Sequence, residues 1–319
     1  HVRSRRQRQM CIRDRFMVFL FFVLLMVFAS YTLNSFQNES DLIGEAGKKG
    51  SIGVIKVEGT IMESEPTIKL LHRAEKDKSI KAIIIRVDSP GGAVGPTQEI
   101  YEEIRRIDSA YDADITKGKP IYASFGSIAA SGGYYIGAAT RKIYSNAGTL
   151  TGSIGVIMQF ADLSKVFELA RVKPEIIKSG QFKDVGNPHR GITDLERSML
   201  ESTSDDVHAQ FKEDILKMRK DRLKKPLDEL AQGQVYSGRE AVALGLVDEV
   251  SGLWESGRKI HADLKLEGDF GLKFVKEKEK TSFMELARSL EEARSSLTMV
   301  KQWLGSHLGE APSAMFLMR

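Results

Sequence analysis

The sequence has almost no cysteine: Cys11 is the only one among 319 residues. A single thiol cannot form a disulfide within the chain, and it argues against cysteine catalysis and thiolate zinc sites. Histidine is also scarce, with six residues, and no group of His, Asp and Glu has the spacing of metal ligands. We therefore predict neither a metal nor another cofactor.

The chain also lacks a basic surface beyond its first residues. Residues 1–15 contain six arginines and one aspartate, so the remainder of this +4 chain sums to −1. A chain without a basic face has no electrostatic footprint for nucleic acid, and we exclude that partner. Because the chain begins with His, we interpret residues 1–15 as a basic leader that need not be native.

Charge is absent from one long stretch, Phe16 to Leu33. As a helix, its 18 residues would span roughly 27 Å, close to the thickness of a bilayer core. Arginines precede the stretch, so the positive-inside rule predicts a single-pass anchor in the cytoplasmic membrane, with everything after it on the extracytoplasmic, periplasmic side. The alternative is a cleaved signal peptide, but Val27-Phe28-Ala29 is a poor cleavage site. Residues 34–50, polar and glycine-containing, read as a linker.

After the linker, short β-branched runs alternate with helical patterns, which predicts an α/β domain with a largely parallel sheet over residues 51–268. Ile83, Ile84 and Ile85 are apolar without alternation, as in a strand covered on both faces. The predicted strands are Ile52–Val57, Ala82–Val87, Ile121–Ser124, Lys142–Ser145, Ile154–Gln159 and Glu175–Lys178. The predicted helices between them are Pro66–Lys76, Pro96–Ile107, Ser131–Thr140 and Leu163–Arg171.

The second half of the chain reads as helical. Thr193 and Glu196 form a capping-box pattern that begins a long helix reaching about Lys220. Another helix is predicted over Gly238–Leu244, closed by Gly245. In the last segment, 269–319, apolar residues recur at three- and four-residue steps from Phe283 to Leu304. This stripe predicts an amphipathic helix that needs a partner surface, followed by a tail.

One serine stands out for chemistry. Ser131 lies between Ala129-Ala130 and Gly132-Gly133, at the start of a predicted helix. Small neighbours let another backbone approach its hydroxyl, and a helix N-terminus favours negative charge there. The same residues would also make a close-packing turn, so this stretch alone does not decide between packing and catalysis.

A nucleophilic serine needs a base and an oxyanion hole. Of the six histidines, only His189 lies in a loop that could approach Ser131. A lysine with a desolvated, neutral amine can serve instead, and Lys183 follows a predicted strand and a Ser-Gly turn. The loop Asp88–Gly92 has two glycines that can expose N–H groups between a strand and a helix. Read separately, these features also fit a surface histidine, a surface lysine and a simple turn.

Five motifs occur in a fixed order: Arg86–Gly92 (RVDSPGG), Ser127–Tyr135 (SIAASGGYY), Thr151–Val156 (TGSIGV), Ser179–Asp184 (SGQFKD) and Val235–Asp248 (VYSGREAVALGLVD). In this order the chain resembles the signal peptide peptidase A family, in its short single-domain bacterial form. The resemblance runs from about Gly50 to Leu264. It implies a Clp protease/crotonase-like spiral of ββα units, assembled as a homo-oligomeric ring at the membrane.

The resemblance also implies roles for particular residues. Ser131 matches the nucleophile, Lys183 the general base and Ser153 the hydroxyl that orients the lysine. The N–H groups of Gly132 and of either Gly91 or Gly92 match the oxyanion hole. The implied activity is that of a serine endopeptidase, which hydrolyses cleaved signal peptides and similar apolar peptides through an acyl-enzyme.

Three rival functions stay open at this point. A superfamily relative acting on acyl-CoA would need an acidic catalytic residue near the glycines and no anchor. A related anchored Ser/Lys peptidase would cut a specific membrane protein or quality-control substrates. A non-catalytic membrane scaffold would use the C-terminal stripe for assembly.

Overall fold

The structure, a computed structural model, describes residues 51–276. The apolar stretch 16–33 and the stripe from 283 to 304 lie outside the described residues, so the anchor and the C-terminal helix stay predictions. Across residues 51–276, every helix is too short or too polar to cross a bilayer.

A mixed sheet of eight strands forms the centre of the described part of the chain. The strands are β1 (Ile52–Glu58), β2 (Ala82–Ser89), β3 (Ile121–Ala130), β4 (Ile143–Ser145), β5 (Leu150–Gly152), β6 (Val235–Ser237), β7 (Glu249–Val250) and β8 (Leu272–Phe274). The pairings are parallel except that of β5 with β6. The order along the main path is β6-β5-β3-β2-β1-β8, and β4 pairs with β3 and β7.

Helices cover both faces of this sheet. They are α1 (Glu65–Lys76), α2 (Val94–Ala113), α3 (Gly132–Ala138), α4 (Ser164–Leu169), α5 (Asp194–Arg219), α6 (Leu227–Leu230), α7 (Gly238–Leu244) and α8 (Leu253–Asp263). Ile83 and Ile85 belong to the larger core cluster with residues of α1, α2, α3 and α5, whereas Ile84 packs with Ile260 of α8 on the other face. The prediction of a strand covered on both faces is confirmed.

Local capping signals are also confirmed. The Thr193 side chain accepts the N–H of Glu196, and the Glu196 carboxylate accepts the N–H of Thr193, so α5 begins with a complete capping box. Gly245 ends α7 at φ 79°, a left-handed conformation that suits glycine.

Two predicted strands are wrong. Ile154–Gln159 and Glu175–Lys178 join no β-ladder, and the ladder on this side of β3 ends at Gly152. Gly152 (φ 81°) and Ser153 (φ 49°) turn the chain away from the sheet, so the later residues have no strand to pair with. In the described residues the sheet instead contains four strands that were not predicted, β5, β6, β7 and β8. The last of them lies beyond the predicted domain boundary at residue 268 and pairs with β1.

A buried ion pair ties α5 to the strand β4. The fully buried Arg219 lies 3.0 Å from Asp248, and the same carboxylate accepts the N–H of Ile143 at 2.7 Å. Burial raises the pKa of Asp248, but Arg219, the Ile143 N–H and Arg222 outweigh it, and the net pKa lies below the ordinary value. The pair therefore stabilises the fold above the ordinary carboxyl pKa, and this contribution is lost as pH falls through the lowered value.

Asp248→Asn is expected to lower the free energy of unfolding by about 3–5 kcal/mol at pH 7, because it leaves the Arg219 guanidinium buried without a counter-charge. Urea denaturation at pH 7 and at lower pH measures the effect, and the deficit should shrink in acid as the wild-type carboxylate is protonated. Glu255→Gln is the control, since its pair with Arg258 is exposed and should contribute under about 1 kcal/mol. A loss no larger than the control's would contradict this role.

Candidate active site

Ser131 lies in the sharp turn between β3 and α3. Its backbone has φ 52° and ψ −120°, a strained conformation for a non-glycine residue, and such strain concentrates at functional sites. The turn is fixed on both sides: the Ser131 N–H donates to Gly152 O at 2.8 Å, and Ser131 O accepts the N–H of Tyr135 at 2.9 Å. A partly exposed serine is thus held by backbone hydrogen bonds on both sides.

The loop after β2 packs directly against this turn. A Cβ added to Gly91 would lie 2.8 Å from the Gly132 nitrogen and 2.9 Å from Ser131 Cβ, so only glycine allows the approach. The Gly91 N–H already donates to Ser89 Oγ at 3.1 Å. Within residues 51–276, the N–H groups of Gly92 and Gly132 make no hydrogen bond. Of the glycine pair, Gly92 therefore has the free donor.

Ser153 lies next to Ser131, because the two serines follow the adjacent strands β5 and β3. The register of β3 and β5 pairs Ala130 with Gly152, so each serine directly follows the last residue of its strand. Ser153 also has a positive φ of 49°, and its N–H donates to Gln234 O at 2.6 Å. The structure thus brings Ser131, Ser153, Gly91, Gly92 and Gly132 together.

A mostly apolar cleft opens at Ser131. Its lining residues are Gly92, Val94, Thr97, Ser131, Gly132, Tyr135, Gly155, Val156, Val207 and Phe211. The rings of Tyr135 and Phe211 lie 4.4 Å apart, and those of Tyr135 and Tyr101 lie 5.1 Å apart edge to face. This aromatic wall suits an apolar side chain next to the serine hydroxyl.

Tyr135 presents its ring to the cleft and its hydroxyl to α5. The hydroxyl donates to the Asp214 carboxylate. The backbone oxygen of Asp214 also accepts a hydrogen bond from the Tyr101 hydroxyl at 3.1 Å. Burial, together with Asp214, raises the pKa of Tyr135. The phenol therefore stays neutral at physiological pH and serves as a wall of the cleft.

Within one chain, the Lys183 side chain makes no hydrogen bond to Ser131. It lies in a series of turns after α4, its N–H donates to Gly180 O, and its side chain is exposed. Among the residues that the structure describes, neither Ser131 Oγ nor Lys183 Nζ makes a hydrogen bond, and Lys183 forms no ion pair. The assignment of Lys183 as the base stays a prediction.

His189, the alternative base, packs elsewhere. Its ring meets Phe167 edge to face with centroids 4.2 Å apart, and its Nδ1 is buried without a partner. In the described range it makes no hydrogen bond to Ser131. The same range contains no group of three or more His, Cys, Asp or Glu side chains able to hold a metal ion.

Sequence reasoning missed the parts of the site that come from α2 and α5. The sequence predicts a long helix through Val207 and Phe211, and a helical pattern cannot separate a core face from a cleft wall. Asp88, the acidic residue nearest the glycines, accepts the N–H groups of Ser127 and Ile128 at 3.1 and 3.0 Å. This carboxylate ties β2 to β3 and is not directed at the cleft as a free acid.

Gly91→Ala is expected to lower kcat by about 10²–10³-fold, because the added Cβ displaces the Gly132 N–H and disturbs the Gly92 N–H beside it. Initial rates of peptide hydrolysis measure the effect. Gly95→Ala is the matched control, since Gly95 lies in the same segment with nothing within 4 Å of an added Cβ. Equal activity of the two variants would argue against an oxyanion hole at this loop.

Comparisons with known proteins identify a peptidase family. The model of Peptidase family S49 matches residues 113–267. A Synechocystis protein named "Putative protease slr0021" is 36% identical over 215 residues, which cover 67% of this chain and 74% of that protein.

Two further relatives are longer than the part that matches. An Enterococcus faecium protein named "Putative signal peptide peptidase SppA" is 35% identical over 56% of this chain and 50% of its own length. The chloroplastic serine protease SPPA of Arabidopsis thaliana is 32% identical over 63% of this chain but only 28% of its own length. The match thus covers half or less of these two proteins.

Proposed function

Because this chain belongs to peptidase family S49 and is a serine-type peptidase, we propose that it is an endopeptidase acting through a Ser131/Lys183 dyad. Ser131 is the nucleophile, Lys183 the general base, and Ser153 orients the lysine. The N–H groups of Gly92 and Gly132 bind the oxyanion. Its substrates are apolar peptides such as cleaved signal peptides.

One observation carries this proposal. A strained serine lies beside two N–H groups that make no hydrogen bond to the residues that the structure describes, and all three line an apolar cleft. A serine hydroxyl needs donors where negative charge develops on the substrate oxygen, and backbone amides fixed in advance supply them. The apolar walls favour a peptide with an apolar side chain next to the bond that is cut.

The chemistry follows from these roles. Ser131 Oγ attacks the carbonyl carbon of the peptide bond while neutral Lys183 accepts the hydroxyl proton. The C–N bond then breaks, and the protonated lysine returns the proton to the leaving amine. Water, deprotonated by the same lysine, hydrolyses the acyl-enzyme and restores Ser131.

The base needs an environment that residues 51–276 of one chain do not supply. A lysine acts as a base when it is desolvated enough to lose its proton, whereas the Lys183 side chain is exposed. The same segment leaves large apolar side chains open to solvent, with Ile157 at 89%, Leu169 at 88% and Ile177 at 95% exposure. We propose that further copies of the chain cover this segment in a homo-oligomeric ring, which also buries the lysine.

The α/β sheet with helices on both faces supports a Clp protease/crotonase-like spiral. Residues 16–33 would form the anchor in the cytoplasmic membrane, with the peptidase domain on the extracytoplasmic side. Peptides released within a membrane are apolar, so this location agrees with the apolar cleft.

A fluorophosphonate probe tests the proposal. The full chain in detergent should react once, and mass spectrometry of its peptides should place the adduct on Ser131. An unlabelled apolar peptide should slow the labelling, whereas an acyl-CoA thioester should not. Failure to label Ser131 in a folded protein would overturn the proposal and leave a non-catalytic scaffold.

A second candidate differs only in the substrate: a related peptidase that cuts a specific membrane protein or quality-control substrates. The apolar cleft fits this candidate as well, because membrane proteins also present apolar segments. Peptidomics of membranes from wild-type and Ser131→Ala cells separates the two candidates. Accumulation of many signal-peptide fragments favours the first, and accumulation of one uncut protein favours the second.

A further inference from the structure

The turns that carry Lys183 are joined to α5 by a group of charged side chains. Lys178 Nζ donates to Gln181 O at 2.9 Å and to Asp184 at 2.6 Å, which closes the turns on themselves. Asp184 directly follows Lys183 in the chain. The position of the Asp184 carboxylate therefore fixes the backbone next to the lysine.

Arg190 connects this carboxylate to the helix. Its Nε donates to Asp184 Oδ2 at 3.2 Å, and its Nη2 lies 3.0 Å from Asp184 Oδ1. The guanidinium also contacts both oxygens of Glu196, with Nη1 2.8 Å from Oε2 and Nη2 2.5 Å from Oε1. One planar side chain thus holds two carboxylates, a geometry that a lysine ammonium cannot reproduce.

The far end of the group is rigid. The Glu196 side chain is only 4% exposed, and its Oε2 also accepts the N–H of Thr193 at 2.9 Å in the capping box of α5. Hydrogen bonds lower the pKa of both carboxyls to about 2, and those from Arg190 contribute most. The next largest contribution comes from Lys178 for Asp184 and from the Thr193 N–H for Glu196. Both carboxylates therefore stay ionised and bound to Arg190 throughout the neutral pH range.

We propose that Arg190 is a positioning residue that fixes the Lys183 turn to the N-terminus of α5. The inference rests on the proposed function, in which Lys183 is the base. The exposed turn has no β-ladder to order it, and α5 is a 26-residue helix whose Val207 and Phe211 line the cleft. We call the group formed by Arg190, Asp184 and Glu196 the clasp. It couples the segment that presents the base to the helix that forms one wall of the cleft.

Arg190→Gln tests the clasp. The variant should lower kcat for an apolar peptide about 10–100-fold while KM changes less than about twofold, because a misplaced base slows the chemistry without changing the cleft. Arg190→Lys should remain impaired, since an ammonium lacks the planar fork. Glu196→Gln combined with Arg190→Gln should cost little more than Arg190→Gln alone, as expected for members of one network.

Arg106→Gln is the matched control. Arg106 also bridges two carboxylates, Glu75 of α1 and Glu103 of α2. It lies nine residues along α2 from Thr97, which lines the cleft, and nine helical residues span about 14 Å. Its loss should leave kcat within about twofold of wild type. Limited trypsin digestion supplies a second readout, in which cleavage between residues 178 and 190 should accelerate in Arg190→Gln and not in Arg106→Gln.

The outcomes distinguish failure of the clasp from failure of the proposed function. If Ser131→Ala is inactive while Arg190→Gln keeps its kcat, the clasp is wrong and the proposed function stands. If Arg190→Gln loses activity through KM alone, or no more than Arg106→Gln does, positioning of the base is also wrong. If Ser131→Ala itself retains hydrolysis, the proposed function fails, and the inference falls with it.

Discussion

Ser131→Ala is expected to lower kcat for an apolar peptide by about 10³–10⁶-fold, because the variant loses the hydroxyl that we propose as the nucleophile. Residual turnover should approach the level that amides and binding alone support. The fold should persist, since the bonds that fix this turn, from the Ser131 N–H to Gly152 O and from the Tyr135 N–H to Ser131 O, use the backbone. Hydrolysis rates and circular dichroism of the purified variant measure both expectations.

Ser127→Ala is the control for this loss. Ser127 lies in the same motif four residues earlier, its side chain is exposed, and its contribution to the structure is a backbone N–H bound to Asp88. It should retain near wild-type activity and label normally with the fluorophosphonate. Comparable losses in both variants would mean that the motif shapes the fold and that Ser131 is not the nucleophile.

Lys183→Met is expected to reduce kcat about 10³-fold or more, because a hydroxyl without a base is a weak nucleophile and the leaving amine loses its proton donor. Methionine preserves the length and apolar stem of the side chain, so assembly and the cleft should be unchanged. Steady-state hydrolysis gives the rate, and light scattering gives the oligomeric mass. Lys173→Met, an exposed lysine in the same segment, should have no effect on either.

Substantial activity in Lys183→Met would contradict the dyad and favour His189 as the base.

Co-expression adds a sharper test, because Lys183 is exposed and makes no hydrogen bond to Ser131 within one chain. Ser131→Ala and Lys183→Met chains, each inactive alone, should form mixed oligomers. Recovery of hydrolysis in the mixture would show that one copy supplies the lysine to the serine of another, whereas continued inactivity would keep the dyad within one chain.

Much of the fold follows from local patterns. The unbroken apolar run at Ile83–Ile85 indicates a strand covered on both faces, and the core clusters on the two sides of β2 agree. Thr193 and Glu196 are sufficient to place the start of α5, because a capping box involves only residues three apart. The errors, Ile154–Gln159 and Glu175–Lys178, are β-branched segments that have strand character but no pairing partner.

The sequence by itself determined the strands β1 to β4, the capping box of α5, the end of α7 at Gly245 and the order of the motifs that carry Ser131, Lys183 and the glycine loop. Those signals depend on residues a few positions apart, and their chemistry acts locally. Only the tertiary structure decided that Ser89 occupies the Gly91 N–H and leaves Gly92 free, and that Ser153 stands beside Ser131. It also decided that Arg190 joins the Lys183 turn to Glu196. These relations join segments far apart in the chain, so they are set by strand register and packing, which no local pattern specifies.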